Sequence, residues 1–343
     1  DLVYGKVSFA ILEDRKFKSG PAGLVEHDGP RPDHITDEKF APADADVEGA
    51  TLLGAEQLNF LDHWAADWTG ADFKATLSAT VFAGLATHHG GNQDYLRIDL
   101  DSNGWPQTGR NKALTSIRRG FAVMIGGDQH LGSIAHHGID DWEDAGFSFT
   151  VPAIANFYAR AWRPQGPPIL PLDEFNPMPH TGSYLDGLGN HVTVYAHTNP
   201  GPTGHEPSAL HDQMPGWGTV RFKKSNRTVT FECWPRWTDP ISGPQYRGWP
   251  FEVPQLLNGG RRVGAYLPEL RISGMRDPVL QVIDDFSREV IYTLRIQGQR
   301  FRPPVPEEGK YTLRLGELGT EREVIVEGVR ATPNNDKELI VDI

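Results

Sequence analysis

GGDQHLGS, residues 126–133, follows the uncharged apolar run FAVMI and sets an aspartate and a histidine two positions apart. Side chains two apart on an extended segment project to the same side. Asp128 and His130 could therefore reach one point, and their oxygen and nitrogen donors suit Mn, Fe, Zn or Ca. The same eight residues also read as a strand-to-loop turn with polar punctuation. Five of the thirteen histidines fall near strand ends: His88 and His89 in LATHHGGN, and His130, His136 and His137 in DQHLGSIAHHG. Imidazole is a common metal ligand and readily moves protons near neutral pH. Adjacent histidines diverge on a strand, so His88 and His89 make a poor chelating pair. Their place between a strand and the loop around Trp105 suggests substrate contact or general-acid work, with a hydrogen-bonded structural role as the plain alternative. In DLDSNGWPQTGRN, residues 99–111, Trp105 offers a rigid apolar wall and Arg110 a planar fork for phosphate or carboxylate. A loop pinned by one buried Trp, with a surface Arg, is the competing reading.

Other chemistries find no foothold. The chain has no G-x-S-x-G elbow, Walker loop, strand-following G-x-G-x-x-G or H-E-x-x-H. A single cysteine, Cys233, excludes an internal disulfide framework and a Cys-rich zinc site. With 33 Lys plus Arg against 45 Asp plus Glu, the net charge of −12 argues against nucleic-acid binding by phosphate neutralisation. A small anionic substrate stays open, since a bound metal inverts the local field. No apolar run approaches the roughly 18 residues of a spanning helix, so no transmembrane segment is expected.

These residues need a scaffold, and the patterning predicts one. SFAIL at 8–12 and KATLSATVF at 74–82 read as strands, and residues 19–50 as a long Gly-, Pro- and Asp-rich surface loop. Residues 54–68 and 107–121 place apolar side chains at helical spacing, and the second helix leads into FAVMI. Strand, helix, strand in this order suggests a βαβ unit and a largely parallel sheet, with ligands outside the carboxyl ends of its strands. Residues 237–262 are rich in Pro and Gly and read as a linker or wrapping loop. Short strands at 279–283, 289–296, 310–316, 322–329 and 338–343 then suggest a β-sandwich of about 80–100 residues. The expected organisation is an α/β domain over 1–236, the linker over 237–262 and a β-rich accessory domain over 263–343.

Five stretches taken in order resemble one family. ILEDRKFKS resembles the LDTRQYR signature of the alkaline phosphatase D (PhoD-like) metallophosphoesterases, within the calcineurin-like superfamily. LLGAEQLNFLDHWAADW resembles that family's LG-x-x-Q-x-x-WL helix, and ATLSATVF its LSQTPF strand. DSNGWPQTGRNKAL is similar to its W-x-GYP-x-x-R loop, and GGDQH to its SGDVH motif. The likeness runs from about residue 5 to residue 155. Arg15 carries over, while Glu13, Asp14, Phe17 and Lys18 replace the family's Asp, Thr, Tyr and second Arg.

The resemblance implies the C-terminal part of a calcineurin-like metallophosphoesterase α/β sandwich, followed by the small β-sandwich-like domain. It implies hydrolysis of phosphate mono- or diesters with two or more metal ions (Fe, Mn, Zn or Ca), Asp128 and His130 serving as ligands. Arg110, with Arg15, would orient the phosphate or support the loop, beside Trp105. The family's earlier ligand motifs lie upstream of Asp1, so an N-terminal segment or chain of the same protein is expected as a partner. Periplasmic or extracellular location is implied as well. A catalytically silent surface binding protein, or an esterase for sulfate or phosphonate esters, is the alternative.

Overall fold

In VSFAIL, Val7 and Phe9 pack to one side while Ala10 and Leu12 pack to the other. That two-residue alternation is the mark of a strand buried on both faces. In the computed structural model, which describes residues 1–101, 104–127, 129–155, 158–172 and 178–343, this strand sits in an eight-stranded sheet. Its members are β1 (Leu2–Tyr4), β2 (Val7–Leu12), β3 (Phe73–Ser78), β4 (Val123–Gly126), β5 (Ser133–His137), β6 (Phe147–Thr150), β7 (Gly182–Leu185) and β8 (His191–His197). The spatial order is β1-β2-β3-β4-β6-β5-β8-β7. Strands β2, β3, β4 and β6 are parallel neighbours. The flanking pairs are antiparallel.

Both faces are covered. On one, α1 (Gly54–Ala66) and α2 (Gln107–Arg119) bury Leu61, Trp64, Leu114 and Ile117 against Ala10, Leu12 and Met124. Each such side chain contributes about 1.5–3 kcal/mol when fully buried. The helices lie close: a Cβ on Gly120 would come within 3.2 Å of Ala65 Cα. On the other face, an antiparallel sheet of Gly216–Lys223, Thr228–Pro235 and Phe251–Pro254 brings Val229, Phe231 and Cys233 onto Phe73, Val123 and Phe149. Residues 237–262 are thus not linker throughout. Phe251–Pro254 pairs with Thr228–Phe231, and Gln255–Gly259 forms a 3-10 turn against the sheet. Proline and glycine punctuation hid a four-residue strand there.

Beyond residue 264, a four-stranded and a three-stranded sheet enclose a core that includes Leu280, Tyr311 and Leu313. The molecule is therefore a mixed α/β sandwich plus a β-rich sandwich, as expected from the patterning. Trp68 and Phe121, from the segments after α1 and α2, are buried in that second core. Trp68 Nε1 donates to the Thr293 carbonyl at 3.0 Å, and Arg295 donates back to the carbonyls of Trp68 and Ala71.

Lys74 on β3 shows how sheet and helix are locked. Its side chain is 1% exposed and its ammonium donates to the carbonyls of Trp64 and Asp67 at the C-terminal end of α1. The same nitrogen lies 4.4 Å from the Trp64 ring centre and 5.2 Å from that of Trp68. A cation at a helix C-terminus meets both the unpaired carbonyls and the negative end of the helix dipole. Lys74→Ala is expected to orphan these carbonyls and open a cavity, costing about 2–4 kcal/mol. Urea unfolding of the variant checks this, with the wild-type midpoint as reference.

Candidate metal centre

The four parallel strands end at Leu12, Ser78, Gly126 and Thr150, and the loops that follow them share one edge. Arg15, His88, His89 and His130 sit in or beside these loops. Asp14, directly after β2, is fully buried. It accepts hydrogen bonds from Ser78 Oγ, from Thr80 Oγ1 at 2.8 Å and from the Ala79 amide at 3.2 Å, fastening the end of β2 to the end of β3. Glu13 instead accepts from the amides of Arg15 and Lys16, which lower its pKa, and so shapes the turn.

Two ladders of only two residues per strand assemble the centre. His34–Ile35 pairs with Ile98–Asp99, setting His34 opposite Asp99. His88–His89 pairs with Arg160–Ala161 and with Asp94–Tyr95, setting His89 opposite Arg160. Directly opposed residues share a face of a ladder. The faces meet: the His34 and His89 rings are edge to face at 4.7 Å, and Arg160 Nη2 donates to Asp99 Oδ2 at 2.7 Å. Asp99 is fully buried, and its other oxygen accepts from the Asp101 amide at 3.0 Å.

Asp33, His34 and Asp99 bring one ligand atom each to within 4.8 Å of one another. His34 Nδ1 is buried without a hydrogen-bond partner, and burial lowers the pKa of this imidazole and of His89. Neutral imidazole is the form that ligates. The set of one nitrogen and two carboxylates fits Mn, Fe or Zn and leaves coordination positions for water or substrate.

The remaining site residues fall around this group. Asp128 lies outside the described residues. His130 has φ of 60°, in the left-handed region, so the alternation of an extended segment does not set its direction. Its Nδ1 lies 3.1 Å from the Tyr158 carbonyl, and the Tyr158 hydroxyl bonds to His89 Nδ1. Tyr158 thereby links the GGDQH loop to the His34–His89 pair. His88 faces away from that pair, edge-on to Tyr95 at 5.8 Å, as neighbours on a strand must. Arg15 donates to the Asp101 carboxylate at 2.9 Å, and Lys18 Nζ to the Leu100 carbonyl at 2.7 Å. Burial draws the Lys18 pKa down to about 8.

Arg110 and Trp105 lie behind the edge. Arg110 is 1% exposed, and its guanidinium donates to the carbonyls of Phe82 and Gly138 at 2.8 and 2.6 Å. Of the two roles implied for it, loop support is the one these contacts describe. Trp105 is fully buried with Nε1 donating to the Ala45 carbonyl at 2.5 Å. Gly104 before it has φ of 41°, and a Cβ there would come 2.9 Å from Phe82 Cα. Sequence reasoning missed Asp33, His34, Asp99, Arg160 and Tyr158 as one group. Two-residue strands leave no periodic signal, and Asp33 and His34 stand in a stretch that reads as surface loop.

No protein-family model matches the chain, and no curated protein matches it. A solved structure described as "Structure of PhoD" is similar at 21% identity, with a TM-score of 0.30, over 44% of this chain and 28% of that chain. The aligned part is under a third of that protein's length.

Proposed function

We propose that the chain carries a metal-dependent phosphoester hydrolase site for phosphate mono- or diesters. The meeting of Asp33, His34 and Asp99 beside His89 and Arg160 carries this reading. The ordered likeness of five sequence stretches to PhoD-like phosphoesterases supports it separately.

A cation held by Asp33, His34 and Asp99 would polarise a phosphoryl oxygen and make a water more acidic. Arg160, set on Asp99, would hold a planar donor array beside the phosphate. Arg15 and Lys18 add positive potential on the Asp101 side. His89, with Nδ1 engaged by Tyr158, would as the imidazolium donate its Nε2 proton to the departing alkoxide and be left as the neutral ring that burial favours. His130 would serve a second cation position joined to the first through Tyr158, with Asp128 as the further ligand that the sequence likeness implies. The Arg160–Asp99 ion pair favours a second reading, a binding module in which these charges are a structural network.

Purified protein is expected to retain divalent metal and to hydrolyse a bis-aryl phosphate diester. Asp33→Ala and His34→Ala should lose that metal and lower kcat/KM by about 100-fold or more. Protein that stays metal-free and inactive after addition of Mn, Fe, Zn or Ca would establish the binding-module reading. His89→Gln should keep the metal yet lower kcat by about 100-fold or more on alkyl phosphates. On a nitrophenyl ester the loss should be smaller, because that leaving group departs without a proton; equal losses on both would remove His89 as the acid.

A further inference from the structure

Beside the sheet edge lies a pocket of about 360 Å³ that the metal centre does not use. One wall is the loop from Asn199 to the single helical turn Ser208–His211, and the other is Pro235–Thr238, at the end of a strand of the second sheet. Pockets of roughly 300–1,000 Å³ suit small ligands. This one is lined by rings: His205, His211, Trp237 and Tyr246, with Pro202 and Pro215.

The rings are held for stacking. Trp237 Nε1 donates to His211 Nδ1 at 2.6 Å, which fixes the indole and places the imidazole proton on Nε2. Arg236 lies over the indole at 4.6 Å from its centre. Trp237 is nonetheless 60% exposed, so a large apolar ring fixed at its edge remains open to a partner. Arg236 Nη1, on the lining, has no hydrogen-bond partner, a donor that a ligand acceptor would satisfy. His205 stands 5.4 Å from His211, ring centre to ring centre, on the solvent side.

The pocket is tied to the candidate metal centre by short links. Asn199, on its wall, exchanges two hydrogen bonds with the Trp162 backbone, at 2.8 and 2.7 Å, two residues from Arg160. The adjacent Thr198 accepts from the Gly132 amide at 2.7 Å and donates its own amide to the Gly132 carbonyl, in the loop that carries His130. An ester with phosphorus at the metal centre could lay its organic group toward this pocket.

We propose that the pocket is a subsite for a planar aromatic ring, aryl or nucleobase, in the organic group of the ester. This rests on the phosphoester reading for its place in catalysis, but ring binding can be measured without turnover. Calorimetry with adenosine and with 4-nitrophenol should show saturable binding, and glycerol none. Trp237→Ala should weaken ring binding by about tenfold or more. His205→Ala, a change at an exposed position, should weaken it too and guards against a misfolded Trp237 variant. The kinetic preference for phenyl phosphate over glycerol phosphate should fall with Trp237→Ala. Ring binding without hydrolysis would sustain the subsite and remove the phosphoester reading. Hydrolysis with no ring binding, or ring binding untouched by both variants, would overturn the subsite, as would capture of a proline-rich peptide in its place.

Discussion

The buried ion pair between Asp99 and Arg160 is the contact on which the candidate centre depends. Neither residue belongs to the large sheet; each stands in a two-residue strand that would be marginal alone. Closing the pair at 2.7 Å, with Asp99 out of water, binds two small ladders into one body. A charge so buried is costly unless paired and hydrogen-bonded, and Asp99 has both Arg160 and the Asp101 amide. Its location is thereby narrowly set, and with it those of His34 opposite and His89 beyond.

Behind this body, the scaffold does ordinary work. Parallel strands β2, β3, β4 and β6 deliver four loops to one edge, and Asp14 laces the first two together. Arg110 and Trp105, buried behind the loops, satisfy main-chain carbonyls that would otherwise be orphaned. The β-rich sandwich is no loose appendage, since Trp68 and Phe121 reach into its core and Arg295 returns the contact. The same edge carries the aromatic pocket, and Thr198 and Asn199 tie its wall to the GGDQH loop and to the Trp162 backbone beside Arg160.

Much of the scaffold was legible. The helices at 54–68 and 107–121 appear as Gly54–Ala66 and Gln107–Arg119, and the strands around 8–12 and 121–125 within a residue or two. Long periodic segments repeat their apolar signal several times, which makes them readable. The antiparallel strands between 133 and 235, and Phe251–Pro254 inside a Pro- and Gly-rich stretch, were not read. Some are only four or five residues long, while Gly216–Lys223 and Thr228–Pro235 run to eight; in all of them identity comes from the partner they pair with as much as from their own pattern.

By itself the sequence determined the α/β class, the β-rich C-terminal part, the absence of a disulfide framework and the loops where chemistry would gather. It set His89 and His130 near strand ends, because strand ends are local signals. Only the tertiary structure decided that Asp33 and His34, in a presumed surface loop, meet Asp99 some 65 positions later. It likewise decided that Arg110 faces backbone instead of solvent. These outcomes depend on register between distant segments, and register is an energy of pairing and burial that no single stretch contains.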